Sequence, residues 1–364
     1  MSAAPLPPLA AIPPDVVAAE DYLRRAPAHL PAATWAWLDG GAADETTLAA
    51  NLAAWRALEL WPRAFARVAG GHTRIELFGD ALAHPFVLAP VASQTLLHPD
   101  GEAATLLAAG VMGGAAVVAS QSAIPLETLA AQAHGPLWLQ FYWQGGREAT
   151  RALLRRAEAA GCRVLVLTAD APVAGVRNRA QRAGFGAPPS AANAAPPALP
   201  PLAEHQSAVF DGYMAIAPDW DDVAWIAAET RLPVLVKGIL HPDDARRALD
   251  AGAAGIVVSN HGGRALDGAP SSVAALPGVV EAVGGRVPVL ADGGIRRGAD
   301  ALKARALGAD AVLIGRPYAC ALAVAGALGV AHLLRLLREE LEIALALTGH
   351  ATLAEVGAHA LRRR

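Results

Sequence analysis

The sequence predicts an α/β fold, a (β/α)8 TIM barrel preceded by an N-terminal helical segment and a hairpin plug, and two observations carry that prediction. From Pro85 onward, short apolar runs rich in β-branched residues alternate with alanine-rich helical stretches, the pattern of repeated βα units around a parallel sheet. Eight such runs fall within about 260 residues, which is the count and the size of a closed eight-stranded barrel. A chain of 364 residues can bury a core that large.

Taken in order, residues 15 to about 60 read as helices, and "TRIELFGDALAHPF" reads as a hairpin turning at Gly79-Asp80 that would plug the barrel's N-terminal mouth. Residues 1–84 are therefore expected to form an extension and 85–364 the barrel. The runs are "PFVLAP" (85–90), "AAVVAS" (115–120), "PLWLQF" (136–141), "RVLVLTAD" (163–170), "PVLVKG" (233–238), "GIVVSN" (255–260), "PVLAD" (288–292) and "AVLIG" (311–315). Near-continuous apolarity suits strands covered on both faces. Between them, "HPDDARRALDAGAAG" opens on a proline and two acids, where the helix dipole favours negative charge, and stops at Gly252 and Gly255. "RGADALKARALGAD" repeats the plan with Gly308 at its end. One connection breaks the rhythm: "AGFGAPPSAANAAPPALPPLAEHQ", after the fourth run, is long and rich in Ala and Pro. The segment of about 178–212 is expected to be a mobile loop over the active face.

Charged residues make up 17% of the chain and the net charge is -3, so no electrostatic footprint for nucleic acid or an anionic membrane stands out. The expected partner is a small molecule. Cys162 and Cys320 lie far apart, with no C-x-x-C and no nearby histidine pair, and predict neither a disulfide scaffold nor a metal site. The start "MSAAPLPPLAAIPPD" lacks a basic region and a sustained apolar core, and no uninterrupted apolar run of membrane-spanning length follows. The expectation is a soluble, cytoplasmic protein.

A barrel enzyme builds its site on the loops after the strands' C-terminal ends. The first four runs end in Pro90-Val91-Ala92, in Ser120, in Gln140 with Tyr142 beyond it, and in Thr168 and Asp170 with Arg177 further on. The last four end in Lys237, in Ser259, His261 and Arg264, in Asp292-Gly293-Gly294 with Arg296, and in Gly315-Arg316. Polar groups crowd one end of the sheet. The glycines of "DGGIRRG" and "IGRP" follow the seventh and eighth runs, where barrels hold phosphate on backbone N–H groups, and Arg296 and Arg316 would add charged donors. Lys237 is one of only two lysines in the chain, the other being Lys303, which marks it as more than a lip residue.

The set "PVAS…HPDGE", "LQFYW", "LTADAPVAGVR", "PVLVKGI", "VSNHGGRALD", "DGGIRRG" and "IGRP", in this order, resembles the FMN-dependent 2-hydroxy acid oxidase and dehydrogenase family, the glycolate and lactate oxidase group. The resemblance runs from "GGAADETTLAAN" to the C-terminal helix. It implies FMN across the barrel mouth, with its pyrimidine edge on Gln140 and Thr168 and its N5 edge by the backbone of Pro90, Val91 and Ala92. Lys237 would sit by N1 and O2 and Asp292 on the ribityl hydroxyls, while Gly293, Gly294, Arg296, Gly315 and Arg316 would take the phosphate end. Ser120 and Ser259 complete the cofactor set.

The resemblance also implies His261 as the base, Asp170 as the carboxylate that orients it, Arg177 and Arg264 as the clamp on the substrate carboxylate, and Tyr142 as a hydrogen-bond partner of the substrate oxygen. The family's substrate-binding tyrosine falls at Trp37, an aromatic after the second strand is Gln121, and a cofactor-contacting serine falls at Ala119 beside Ser120. Apart from that serine the cofactor side is intact, while Trp37 and Gln121 alter the substrate side, which predicts an acid with a different or bulkier side chain than glycolate. Ala92 favours O2 as the acceptor. The implied reaction takes an (S)-2-hydroxy acid to the 2-oxo acid with release of H2O2, in a homo-oligomer, a tetramer. Three alternatives stand beside it: a dehydrogenase using another acceptor, an FMN-containing isomerase or phosphate-substrate barrel, and an inactive binding barrel.

Overall fold

In the computed structural model, which describes residues 4–186, 188, 191–194 and 198–362, eight parallel strands close on themselves. An antiparallel hairpin, β1 (Ile75–Leu77) and β2 (Asp80–Leu82), precedes them. The barrel strands are β3 (Phe86–Leu88), β4 (Ala116–Ala119), β5 (Leu137–Phe141), β6 (Val164–Thr168), β7 (Val234–Ile239), β8 (Gly255–Val258), β9 (Val289–Ala291) and β10 (Ala311–Ile314). They neighbour one another in chain order, and β10 pairs with β3 to close the ring. Seven of the predicted runs contain their strands whole, and β7 extends one residue past its run, to Ile239.

The two-residue period of a strand sorts the core into two layers. Val87, Val117, Trp138, Val166, Leu235, Val257, Leu290 and Leu313 fill the barrel, while alternate neighbours such as Leu88, Val118, Leu139 and Leu165 pack under the helices. Leu77 and Leu82 of the hairpin join the inner layer, and the Phe78 ring meets Trp138 edge-on at 5.5 Å, so the hairpin closes the barrel floor. Leu77 pairs with Asp80, which puts the turn at Phe78-Gly79, one residue before the expected Gly79-Asp80. Both residues have positive φ, 51° and 80°, the conformation that matches strand twist in a two-residue turn.

The helices Ala19–His29, Ala32–Asp39 and Thr46–Ala57 occupy the predicted helical region. The last of these is tied to the loop after β8. Asp267 accepts from Thr47 N at 2.8 Å, Thr46 Oγ1 at 2.8 Å and Asp44 N at 3.1 Å, meeting donors that a helix start leaves unpaired. These bonds, the Thr47 amide first, hold its carboxyl at about 2. Asp267 therefore serves this helix start, and among the described residues it forms no ion pair with Arg264 three positions before it. Asn51 and Asn260 exchange reciprocal amide bonds at 2.9 and 2.8 Å in the interior and fix the same junction.

The helical segment Arg316–Thr348, broken by non-helical backbone at Ala325 and Gly326, is long and apolar enough to cross a membrane by length and composition, with a mean hydropathy of 1.9, yet 67% of that window is buried inside the fold. It is the core helix that backs the barrel. Of the connection expected to be mobile, residues 187, 189, 190 and 195–197 lie outside the described residues. Two described parts of it contact other elements of the fold. In the helix Asn178–Arg182, Arg179 pairs with Asp39 at 2.6 Å and Glu45 at 2.7 Å, and Asn193 Oδ1 accepts from Leu126 N at 2.7 Å.

Candidate active site

β7 sets the centre of the site. Its pairing with β8 shifts between Lys237 and Ile239, leaving Gly238 as a bulged residue with φ 106°. A Cβ on Gly238 would lie 2.5 Å from Asp170 Cβ, so glycine is needed for the carboxylate after β6 to pass. Lys237, with its side chain 4% exposed, donates to Ser259 Oγ at 2.9 Å and lies 3.1 Å from Asp292 Oδ2. Burial pulls its pKa down, but Asp292 and Asp170 outweigh burial and hold it above the ordinary lysine value. Lys237 is a fixed cation.

β8 delivers the histidine through an unusual turn. His261, Gly262 and Gly263 all have positive φ, 57°, 62° and 73°, and a Cβ on Gly263 would strike Leu48 N at 2.6 Å. That strand end carries glycines because the helix Thr46–Ala57 packs onto its backbone. The turn points His261 at the cavity and its Nδ1 at Asp170 Oδ1, 2.9 Å away. Asp170 is a tenth exposed and holds no hydrogen bond on its other oxygen. Burial pushes the carboxyl up, yet His261 and Lys237 outweigh it and keep Asp170 below its ordinary range. Burial and then Lys237 push the imidazole down, against the opposing pull of Asp170. His261 is thus neutral at pH 7, with Nε2 free to accept a proton.

Four arginines surround this pair. Among the described residues Arg177, Arg264, Arg296 and Arg316 form no ion pair with a carboxylate. Burial lowers all four from their ordinary value, with Arg177 and Arg316 adding to the effect on Arg264, and with Arg316 brought to about 10. All four are partly buried, and cations withdrawn from water without a counter-charge favour an anion as partner. Arg264 Nη1 donates to the carbonyls of Trp37, Leu38 and Gly40, and its guanidinium lies 5.6 Å over the Trp37 ring. Arg316 donates to the Leu38, Gly262 and Gly40 carbonyls. These two residues therefore also hold the 37–40 turn against the barrel. Arg177 Nε has no hydrogen-bond partner among the described residues.

One cavity gathers the strand ends. Pro90, Val91, Ala92, Gln140, Tyr142, Thr168, Arg177, Lys237, His261 and Arg264 line it together with Asp292, Gly293, Gly294, Arg296, Gly315 and Arg316. Gln140 Nε2 donates to Thr168 Oγ1 at 2.8 Å within its wall. Trp37 and Gln121 line the same space, and Trp37 stacks on Phe185 at 5.3 Å. Burial and Asp170 raise the Tyr142 hydroxyl above its ordinary value, so it is a neutral donor.

Ser120 and Ser259 are not part of the lining. Strand alternation gives the wall Ala119 and Gln121 in place of Ser120, and Ser259 sits under Lys237, its Oγ also accepting from His261 N at 2.9 Å. Asp170 stands behind His261. Leu38, Ile295 and Leu313 line the cavity without any polar signal in the sequence to find them.

A family model for FMN-dependent dehydrogenases matches residues 26–363. The L-lactate oxidase of Alicycliphilus denitrificans is 49% identical over 350 residues, covering 95% of this chain and 96% of that protein. The 4-hydroxymandelate oxidase of Amycolatopsis orientalis is 43% identical over 344 residues, 92% of this chain and 94% of that one. A solved structure of mandelate oxidase with (S)-2-phenylpropionate superimposes with a TM-score of 0.86 at 42% identity, covering 96% of this chain and 98% of that chain.

Proposed function

The chain belongs to the FMN-dependent dehydrogenase family, and from that premise we propose that it oxidises an (S)-2-hydroxy acid to the 2-oxo acid, with FMN as cofactor and O2 as electron acceptor. The observation that carries the reading is the His261–Asp170 pair at 2.9 Å on a cavity that also presents the unpaired Arg177. The cavity fits FMN by its donors. Arg296 and Arg316, at the glycines after β9 and β10, suit a phosphate, and Asp292 Oδ1, buried without a partner, suits a ribityl hydroxyl. Gln140, Thr168 and the backbone at Pro90–Ala92 would hold the ring system, with Lys237 beside it. Bound FMN supplies the acceptor for the hydride equivalent leaving the α-carbon.

The chain's own groups do the rest. The guanidinium groups of Arg177 and Arg264 bind the substrate carboxylate. Tyr142 donates to a substrate oxygen. His261 Nε2 takes the hydroxyl proton, and Asp170 stabilises the resulting imidazolium. Lys237 offsets negative charge gained nearby.

Trp37 and Gln121 on the substrate side support an acid larger than glycolate, and the relatives named above act on lactate and 4-hydroxymandelate. An anaerobic screen of (S)- and (R)-2-hydroxy acids, read by loss of flavin colour, tests the substrate. Faster bleaching by glycolate than by larger (S)-acids overturns the size reading, and aerobic turnover without H2O2 overturns the acceptor. We also propose a cytoplasmic homotetramer, with residues 1–84 as an N-terminal helical extension and barrel-plugging hairpin on the 85–364 barrel. Exposed Phe65, Phe210, Ile343 and Leu347 support burial between subunits, which sedimentation tests, and cell fractionation tests the location.

A further inference from the structure

Behind the wall formed by the end of β3 lies a buried chain of polar side chains to which the reaction above gives no part. Gln94, Thr105 and Tyr318 are 1%, 3% and 0% exposed, and none of them lines the cavity. Their donors and acceptors fit together in one sense only. The Thr105 hydroxyl donates to Gln94 Oε1 at 2.5 Å, which turns Gln94 Nε2 toward Val91 O at 3.2 Å and Tyr318 Oη at 3.1 Å. Tyr318 in turn donates to Ala89 O at 2.7 Å. The reverse amide orientation would set Gln94 Oε1 against the Val91 carbonyl, acceptor on acceptor. Glu102 Oε1 takes the Gln94 N–H at 3.2 Å and fixes the backbone that carries the amide.

The consequence falls on the cavity side of the same peptide. In a trans peptide the C=O and the following N–H point in opposite directions. Gln94 draws the Val91 carbonyl into the packed interior, so the Ala92 N–H is turned outward, where Val91 and Ala92 line the cavity. That N–H has no partner among the described residues. Pro90, next to it, has no N–H to offer. The wall therefore presents one oriented backbone donor, and its direction is set from behind.

We infer that Gln94 is a positioning residue, held in one amide orientation by Thr105, that aims the Ala92 N–H at the N5 edge of the flavin. The inference rests on the FMN reading. Fluorescence titration of the full chain, stripped of flavin, with FMN and with 5-deaza-FMN tests it, because the analogue replaces the N5 acceptor by C–H. Gln94→Met keeps the volume and removes the donor. It weakens FMN binding about tenfold, the equivalent of ~1.4 kcal/mol, and changes 5-deaza-FMN binding by less than about twofold. Thr105→Val, which frees the amide to flip, shifts affinity in the same selective sense, and Thr105→Ser restores wild-type behaviour. Equal losses for the two flavins, or no loss in either variant, overturn the inference while leaving FMN as the cofactor. If Gln94→Met does not fold, the same comparison on Thr105→Val and Thr105→Ser decides. A wild-type chain that takes up neither flavin overturns the cofactor reading and this inference with it.

Discussion

Gly238 and Asp170 compete for one space: a Cβ on the glycine would sit 2.5 Å from Asp170 Cβ and 2.6 Å from its carboxyl carbon. The bulge in β7 and the carboxylate behind His261 are therefore one device. At φ 106° an alanine is also strained in its own backbone. Gly238→Ala must displace Asp170, and with it the ring at 261. Because a misplacement of about 1 Å can cost on the order of 100-fold in rate, kcat should fall by about that factor. FMN absorbance and content should be near wild type, since the cofactor groups on β5, β9 and β10 are untouched. A variant with unchanged kcat would show that Asp170 can move without consequence.

Asp170→Asn separates charge from position. The amide still accepts from His261 Nδ1–H, so the ring keeps its direction, but the imidazolium loses its counter-charge. The rate plateau should drop by about 10²–10⁴-fold. Its pH dependence carries the sign. In the native protein burial and then Lys237 hold the imidazole below its ordinary value, and Asp170 pulls the other way. Activity requires neutral His261, so it is flat at pH 7 and falls only as pH drops through that depressed pKa. Removing Asp170 removes the pull upward, and the acid limb must move to lower pH still. Steady-state rates from pH 4 to 8 check this, and an acid limb moving upward would mean another group is titrating.

The parts of this molecule that were legible in its sequence are those written into short windows. Each barrel strand is a run of apolar residues buried on both faces, and each polar strand end sits where the fold builds function, so His261, Lys237 and the Asp292–Gly294 turn stood out. What stayed hidden depends on residues brought together from distant parts of the chain. Arg264 and Arg316 read as anion ligands, yet they also hold carbonyls of the 37–40 turn, more than 220 positions away. Asp267 serves the helix Thr46–Ala57 and not Arg264. Ser120 belongs to the right run, but a period of two places its neighbours on the wall instead. A strand end can be read locally; which of two adjacent residues faces inward depends on register.

Lys237 and Asp292 form an ion pair with side chains 4% and 9% exposed, and Asp292 Oδ1 has no partner. Lys237→Met strands a buried carboxylate, which costs about 3–5 kcal/mol in stability. Denaturant unfolding of the flavin-free chain should show the loss. Adding Asp292→Asn to Lys237→Met removes the stranded charge and should restore most of the stability, without restoring turnover, because the cation beside the ring system is gone. Equal stability of the single and double variants would mean the pair contributes nothing to the fold.

His84 offers a pH dependence of stability independent of the active site. It is fully buried beside Phe86, and neither ring nitrogen has a hydrogen-bond partner. Burial, with Arg338 adding to it, lowers its pKa from 6.5 to about 4. The unfolded chain therefore binds a proton at this residue between those values and the folded chain does not. Its contribution is full above about pH 6.5, is lost progressively as pH falls toward 4, and is constant below that. The loss amounts to about 3 kcal/mol over the window. Denaturant midpoints of the wild type and His84→Leu, measured in parallel from pH 8 to pH 4, should converge or cross as pH falls, because the variant lacks this proton. Parallel curves throughout would show that His84 is protonated, or hydrated, in the folded state.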